Sequence, residues 1–289
     1  MSARRGWRIS GVDFTSRPRP RKPVTIASGR LRGGIFLLES IEEHGDWPGF
    51  EAWLRREGPW IAGFDFPFGL PRSAVLDLGW PGTWEGVVRH CAAMGREAFR
   101  AALDGHREPR PAGDRYAHRA ADLPARSHSP LKLVNPPVAL MFLEGAIRLL
   151  QAGVSIPGLH DGDPRRLAFE AYPGYSARSL GAGSYKNDAV AKQTPQRRQA
   201  RAAMVRKLAS SDNTFGFALQ APAGLSRSLV ADASGDRLDA VLCAMQAAWA
   251  WRRRRGNFGL PKHVDPVEGW ILMVPEYLHL LPADNNKGW

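Results

Sequence analysis

A six-residue pattern occurs twice in the first seventy residues of the chain, and it constrains the fold more than any other feature. ISGVDF at residues 9–14 and IAGFDF at residues 61–66 agree at four of six positions. Because side chains alternate along an extended strand, the Ile, Gly and Asp of each segment lie on one face. The glycines leave room beside Asp13 and Asp65 for another element or a ligand to approach closely. The repeat therefore predicts two similar strands that carry their aspartates side by side.

The order of elements in the first seventy residues predicts a mixed α/β sheet. Three strands are expected at residues 7–14, 24–28 and 33–39, because the separators SRPRPRKP and GRLRGG suit hairpin turns. A helix then begins at Asp46, and a fourth strand follows at residues 60–66. Hairpins join antiparallel strands, whereas a helix carries the chain to a parallel neighbour. The expected sheet therefore has three antiparallel strands and then parallel strands, flanked by helices.

The rest of the chain predicts helices with a few short strands. Residues 72–165 are mainly helical and irregular and too long for a plain connection, which indicates an inserted cap or subdomain. Beyond them we expect strands at residues 166–173 and 269–274, and helices at residues 234–255 and from Thr194 onward. The 289 residues, 44% of them hydrophobic, are enough for one large core. We therefore predict a single domain over the whole chain, with residues 72–165 as a helical insertion.

Two aspartates in the same strand context are candidate metal ligands. If the two strands lie side by side, Asp13 and Asp65 come together, and two neighbouring carboxylates repel each other unless a cation lies between them. The alternative is that each aspartate only ends its strand and caps the following turn. The recurrence of the whole context favours metal ligands, since hard divalent cations prefer clustered carboxylate oxygens.

Three further acids are candidates for the same site. Asp236 and Asp239 are three residues apart at the start of a predicted helix, so both can face one side of it. Alternatively, acids in a first turn simply stabilise the helix macrodipole. Glu170 lies near the end of a predicted strand, where such a residue is more often solvated or paired with an arginine. It becomes a candidate only through the acids that accompany it.

The charge of the chain indicates an anionic partner. The formal net charge is +12, which favours association with polyanions such as nucleic acid. Arginine suits phosphate because its planar donors bind two oxygens at once. The candidates for phosphate binding lie in one basic segment of the predicted insertion: Arg115, Arg119, Arg126 and Lys132.

The sequence also indicates the compartment. The basic start MSARRGWRIS leads into a strand pattern rather than the apolar core of a secretory signal. The most apolar long stretch, residues 138–154, is interrupted by Glu144 and Arg148, so no membrane span is expected. Cys91 and Cys243 lie in helix-like sequence and predict buried thiols in a reducing compartment. We therefore expect a cytoplasmic protein without a membrane partner.

The motifs occur in an order that resembles a known family. GVDF near the start, FDFPFGLP after the first helix, FEAYP near residue 170 and GDRLDA at the late helix span most of the chain. They resemble the family called domain of unknown function 429, whose members are regarded as predicted ribonuclease-H-like nucleases. The resemblance implies a ribonuclease-H-like fold. In that superfamily an Asp on the first strand, an acid on an adjacent strand and an acid on the last helix form the site.

The resemblance implies a role for each acid. Asp13 takes the first position, Asp65 the second and Asp239 the third, with Asp236 as its alternate or partner. Glu170 matches a strand of the family without a definite catalytic counterpart. The implied reaction is phosphodiester hydrolysis with two Mg²⁺ or Mn²⁺ ions ~3.5–4 Å apart, bridged by Asp13. Small ribonuclease H domains have no equivalent of residues 72–165.

Two other functions remain open from the sequence. One is phosphotransfer of the actin and sugar-kinase type, although that branch needs glycine-rich hairpins in two duplicated halves and this chain shows one. The other is a non-catalytic nucleic-acid-binding module on the same fold. Walker, HExxH and GxSxG motifs are absent, which argues against P-loop, zinc-protease and serine-hydrolase functions. The sequence does not distinguish RNA from DNA and does not indicate an oligomeric state.

Overall fold

A seven-stranded mixed sheet forms the centre of the protein. We describe residues 6–276 of it from a computed structural model. The strands lie in the order β5-β6-β4-β1-β2-β3-β7. Their bounds are β1 Arg8–Asp13, β2 Val24–Arg32, β3 Ile35–His44, β4 Trp60–Phe64, β5 Val154–Ser155, β6 Asp163–Glu170 and β7 Ala218–Gln220.

The pairing of the strands confirms the predicted sheet. β1, β2 and β3 are antiparallel neighbours, whereas β4 is parallel to β1 and β6 is parallel to β4. The second hairpin turns at Gly33 and Gly34, whose φ angles of 53° and 78° favour glycine. The helix after β3 also begins as predicted, since the Asp46 carboxylate accepts the Gly49 N–H at 2.9 Å. This sheet of three antiparallel strands followed by parallel ones is consistent with a ribonuclease-H-like architecture.

Nine α-helices flank the sheet in the part of the chain that the structure describes. They are α1 Trp47–Leu54, α2 Arg72–Asp77, α3 Trp84–Arg107, α4 Asp122–Ala125, α5 Val138–Ala152, α6 Pro173–Ser179, α7 Pro195–Leu208, α8 Ala223–Ala231 and α9 Asp236–Arg252. Each of these helices is too short or too polar to cross a lipid bilayer.

Each face of the sheet has its own hydrophobic core. On one face Val12 and Phe64 pack in one cluster with α1, α3 and α5. On the other face Ile9 and Ile61 pack with α9, whose residues are almost all buried. This division follows from the alternation of side chains along β1 and β4. Residues 72–165 thus supply a helical layer on one face, and their interpretation as an insertion or cap stays a prediction.

The predicted last strand at residues 269–274 is wrong. Within this segment only Ile271 pairs with the sheet, through an isolated parallel bridge to Glu170. Gly269 and Met273 have φ angles of 72° and 68°, which interrupt an extended backbone on both sides of Ile271. An apolar run therefore supplies buried side chains here without forming a strand, and it packs beside the end of β6.

Candidate metal centre

Three aspartates meet at the carboxyl ends of two parallel strands. Asp13 ends β1, Asp65 directly follows β4, and Asp239 lies in the first turn of α9. One carboxylate oxygen of each lies within 4.8 Å of the others. The repeated segments pair in register, Ile9 with Ile61 and Gly11 with Gly63, so that their aspartates reach the same edge. The structure thus places Asp13 and Asp65 together, as the repeat predicts.

Glycines in both strands allow α9 to pack directly on the sheet. A Cβ atom at Gly11 would lie 2.0 Å from the Ala244 nitrogen and 2.1 Å from the Ala240 oxygen. A Cβ atom at Gly63 would lie 2.7 Å from the Cys243 oxygen. No side chain fits between these backbones, because real Cβ contacts of this length do not occur. The close approach of the helix is what brings Asp239 to the two strand aspartates.

Burial makes the negative charge of this cluster unfavourable. Asp13 is 7% exposed and Asp239 is fully buried. Burial raises the pKa of Asp13 well above its ordinary value, and the charges of Asp236 and Asp239 raise it further. Burial also raises the pKa of Asp65 to about 7, although Lys186 opposes the shift. Three crowded carboxylates, of which Asp13 and Asp65 have raised pKa values, are what a site for a divalent cation requires.

Two side chains that the sequence analysis did not select contact Asp239. Tyr185 donates its hydroxyl to one carboxylate oxygen at 2.6 Å, and the ammonium group of Lys186 donates to the other. Both lie between α6 and α7 in the segment GAGSYK. The sequence offered one signal for this part of the site, a lysine that follows two closely spaced glycines. Only the fold shows that Lys186 reaches the acids.

Asp236 lies beside the cluster and has a different partner. Its carboxylate accepts a hydrogen bond from Lys22 at 2.8 Å, and Lys22 also contacts Asp188 at 3.1 Å. The charges of Asp236 and Asp13 raise the pKa of Lys22 against the effect of its burial. Asp236 is not among the three acids whose oxygens converge, so its role as a ligand stays a prediction.

Glu170 belongs to a buried ion pair rather than to the three-acid cluster. It accepts two hydrogen bonds from Arg119, at 2.6 and 2.7 Å, and one from the Phe68 N–H at 2.8 Å. Arg119 also binds both carboxylate oxygens of Asp122. This network joins the end of β6 to the segment before α4. Of the two alternatives for Glu170, the structure shows the arginine pair.

The candidate phosphate ligands are not grouped around the acids. Arg119 is 2% exposed, and its donors are occupied by the two carboxylates and by the Glu268 carbonyl. Arg115 and Arg126 are exposed, and Lys132 lies 3.4 Å from His128. Arg115, Arg126 and Lys132 do not line the cleft into which the acids open. Arg119 therefore has a structural role here, and phosphate binding by the other three stays a prediction.

The acids open into a cleft of about 730 Å³. Asp13 and Asp65 line it together with residues from the segment 127–141, from α6 and from the loop 182–188. Its cationic lining is Lys22, Arg119, Arg178 and Lys186. Asp239 lies behind Tyr185 and Lys186, which bind both of its oxygens. A cation that enters from the cleft therefore competes with Lys186 for Asp239.

We expect the Lys186→Gln substitution to strengthen Mn²⁺ binding about tenfold, measured by isothermal titration calorimetry. Glutamine keeps much of the length of lysine but removes a positive charge that competes with the ion, and one unit charge at about 4 Å is worth roughly 1–4 kcal/mol in partly solvated surroundings. Lys192→Gln, at an exposed position outside the cleft, is the matched control. Weaker Mn²⁺ binding by Lys186→Gln would show that this lysine instead holds Asp239 in its binding position.

We expect the metal-free protein to become more stable as the pH is lowered from 7.5 to 5.5. The folded pKa of Asp65 is about 7, against 3.8 for an ordinary aspartate. Between these values the folded protein holds a proton that the unfolded chain has released, so the free energy of unfolding falls as the pH rises. Melting temperatures in EDTA should therefore depend less on pH in Asp65→Asn than in the wild type. Equal pH dependence in the two proteins would contradict this assignment.

The comparisons with known proteins identify the family. The model of the family described as Protein of unknown function (DUF429) matches residues 11–265. No curated protein and no solved structure matches the chain. The match includes the end of β1, all of β4 and all of α9, so the three converging aspartates lie inside it. The chain therefore belongs to the DUF429 family, as the order of its motifs predicts.

Proposed function

We propose that this protein is a metal-dependent nuclease that hydrolyses phosphodiester bonds of nucleic acid. The observation that carries the proposal is the convergence of Asp13, Asp65 and Asp239, with oxygens within 4.8 Å of one another. Carboxylate oxygens alone favour Mg²⁺ or Mn²⁺, whereas zinc sites use histidine or cysteine. The chemistry of the donor set therefore fits the cofactor that the resemblance implies.

The residues of the site have separate tasks in this proposal. Asp13, Asp65 and Asp239 hold the ions, which supply charge stabilisation at the phosphate and a water of lowered pKa. Tyr185 donates to Asp239 and so orients its carboxylate. Lys186 neutralises Asp239 in the metal-free protein, and it borders the cleft where it can donate to a phosphate oxygen after displacement. Asp236 and Lys22 form a second charged pair at the edge of the cleft.

The net charge of +12 supports an anionic substrate, because it attracts a polyanion from a distance. Cys91 and Cys243 are free and buried, and we therefore also propose a cytoplasmic location.

One observation favours the non-catalytic alternative: Lys22 and Lys186 already pair with two of the acids near the cleft. A protein that kept the fold but lost catalysis would keep such internal ion pairs.

Cleavage assays with the purified protein test the proposal. Single-stranded DNA, single-stranded RNA, duplex DNA and an RNA–DNA hybrid are incubated with Mg²⁺, Mn²⁺ or EDTA. We expect at least one substrate to be cut with metal and none with EDTA. If no substrate is cut with either metal while nucleic acid still binds, the non-catalytic module is the correct function.

A further inference from the structure

The acids lie at the bottom of a walled cleft rather than on an open surface. Asp13 is 7% exposed and Asp239 is fully buried. The segment 127–141 and α6 line the same cleft as Asp13 and Asp65. A phosphate must therefore enter the cleft to reach the acids. The phosphates of a duplex are carried on a stiff helix, which enters a cleft less easily than a flexible single strand does.

The size of the cleft is that of a site for one small molecule. Its volume of about 730 Å³ lies within the range of about 300–1,000 Å³ that is typical of ligand pockets. Such a space accommodates a single nucleotide with its phosphate.

The lining of the cleft also includes apolar side chains and an aromatic ring. Pro136, Pro137, Val138 and Met141 line it, and Tyr172 lines it near the start of α6. The backbone of Tyr172 is held in place, since its N–H donates to Gln246 at 2.8 Å and its carbonyl accepts from Gln246 at 3.1 Å. Unpaired bases stack on aromatic side chains of this kind, whatever their sequence.

Few cations that line the cleft are free to contact phosphates. Of Lys22, Arg119, Arg178 and Lys186, Arg119 is fully occupied by buried carboxylates, and both lysines face acids. Proteins that bind duplexes often contact roughly six to ten phosphates along the backbone. One or two phosphates of a single strand need no more than this cleft supplies.

From these features we propose that the cleft takes one unpaired nucleotide of a single strand. The base lies against Tyr172 and the wall formed by residues 136–141, and the phosphate lies at the three aspartates. This inference rests on the proposed function, because it names the substrate of the same site. It assigns the segment 127–141 the task of excluding paired strands.

Fluorescence anisotropy with the Asp13→Asn variant tests the inference without catalysis. The probes are a fluorescein-labelled single-stranded dodecamer, as DNA and as RNA, and the same DNA dodecamer annealed to its complement, all at one salt concentration. We expect at least one single strand to bind ten times more tightly than the duplex. Equal or tighter binding of the duplex would overturn the inference.

A second substitution tests where the base lies. Adding Tyr172→Ala to the Asp13→Asn variant should weaken single-strand binding about tenfold, whereas Tyr172→Phe should leave it unchanged because the ring remains. The duplex comparison above does not depend on how well Tyr172→Ala folds. If Tyr172→Ala is folded by circular dichroism and binds as before, the stacking position is wrong.

The inference and the proposed function can fail separately. If the wild type with Mn²⁺ cuts duplex DNA as well as single strands, the nuclease function stands and this inference is wrong. If nothing is cut but single strands still bind ten times more tightly than duplex, the nuclease function is wrong and the inference stands. If no probe binds and nothing is cut, both are wrong.

Discussion

Asp13→Asn is expected to lower metal-dependent phosphodiesterase activity about 10³-fold or more while the protein stays folded. Asparagine keeps the size of aspartate and one acceptor oxygen, but it loses the charge that a ligand for a divalent ion must supply. Losing several kcal/mol of transition-state stabilisation corresponds to this factor, since each ~1.4 kcal/mol changes the rate tenfold. Initial rates of strand cleavage with Mg²⁺ and Mn²⁺ measure the effect.

The melting temperature of the same variant separates a catalytic from a structural role. In the metal-free protein Asp13 is crowded by Asp236 and Asp239, and these charges with burial raise its pKa. Removing its charge relieves repulsion, so we expect an unchanged or higher melting temperature in EDTA. Asp212→Asn, at an exposed position away from the cleft, is the matched control and should keep full activity. A clearly lower melting temperature for Asp13→Asn would mark a structural aspartate, and unchanged cleavage would indicate a contaminating nuclease.

Gly11→Ala is expected to destabilise the protein by about 3 kcal/mol or more, which lowers the melting temperature by roughly 10 °C. The added Cβ would lie 2.0–2.1 Å from backbone atoms of Ala244 and Ala240, so α9 must move away from β1. Because Asp239 lies on α9, this movement should also weaken metal binding. Thermal unfolding with and without Mn²⁺ measures both effects.

Gly105→Ala is the matched control for this substitution. Gly105 lies in α3, and a Cβ atom there would have no neighbour within 4 Å. Alanine favours a helix over glycine by about 0.5–1 kcal/mol, so this variant should be slightly more stable than the wild type. A Gly11→Ala protein of wild-type stability would mean that α9 does not pack on β1 as closely as described.

The local pattern of the sequence was enough to predict the centre of the sheet and two of its acids. Alternation along β1 and β4 puts Gly and Asp on one face of each strand, and the hairpin and helix connections determine which pair is parallel. Asp13 and Asp65 therefore come together because of the pattern of the few residues around each of them. The spacing of Asp236 and Asp239 likewise predicts one acidic helix face, but not which carboxylate reaches the strands.

Only the tertiary structure decided which partners the charged side chains take. Glu170 and Arg119 are 51 residues apart and pair inside the protein, and Lys22 and Asp236 are 214 residues apart. Lys186 reaches Asp239 because the loop after α6 passes over the start of α9. Pairs of this kind leave no periodic signal, since a buried charge is satisfied by whichever opposite charge the fold brings near.

The strand predicted at residues 269–274 is wrong for the same reason, because contacts between distant segments decide whether an apolar run pairs with a sheet. An apolar run predicts burial, and Ile271 and Leu272 are indeed buried, but the pattern does not show whether the neighbouring strand edge is available. Positive φ angles at Gly269 and Met273 limit the pairing to one residue. Periodicity within one segment thus determined the strands and the acids of β1 and β4. Contacts between distant segments decided the ion pairs, the cleft and the position of Asp239, because these depend on how whole elements pack.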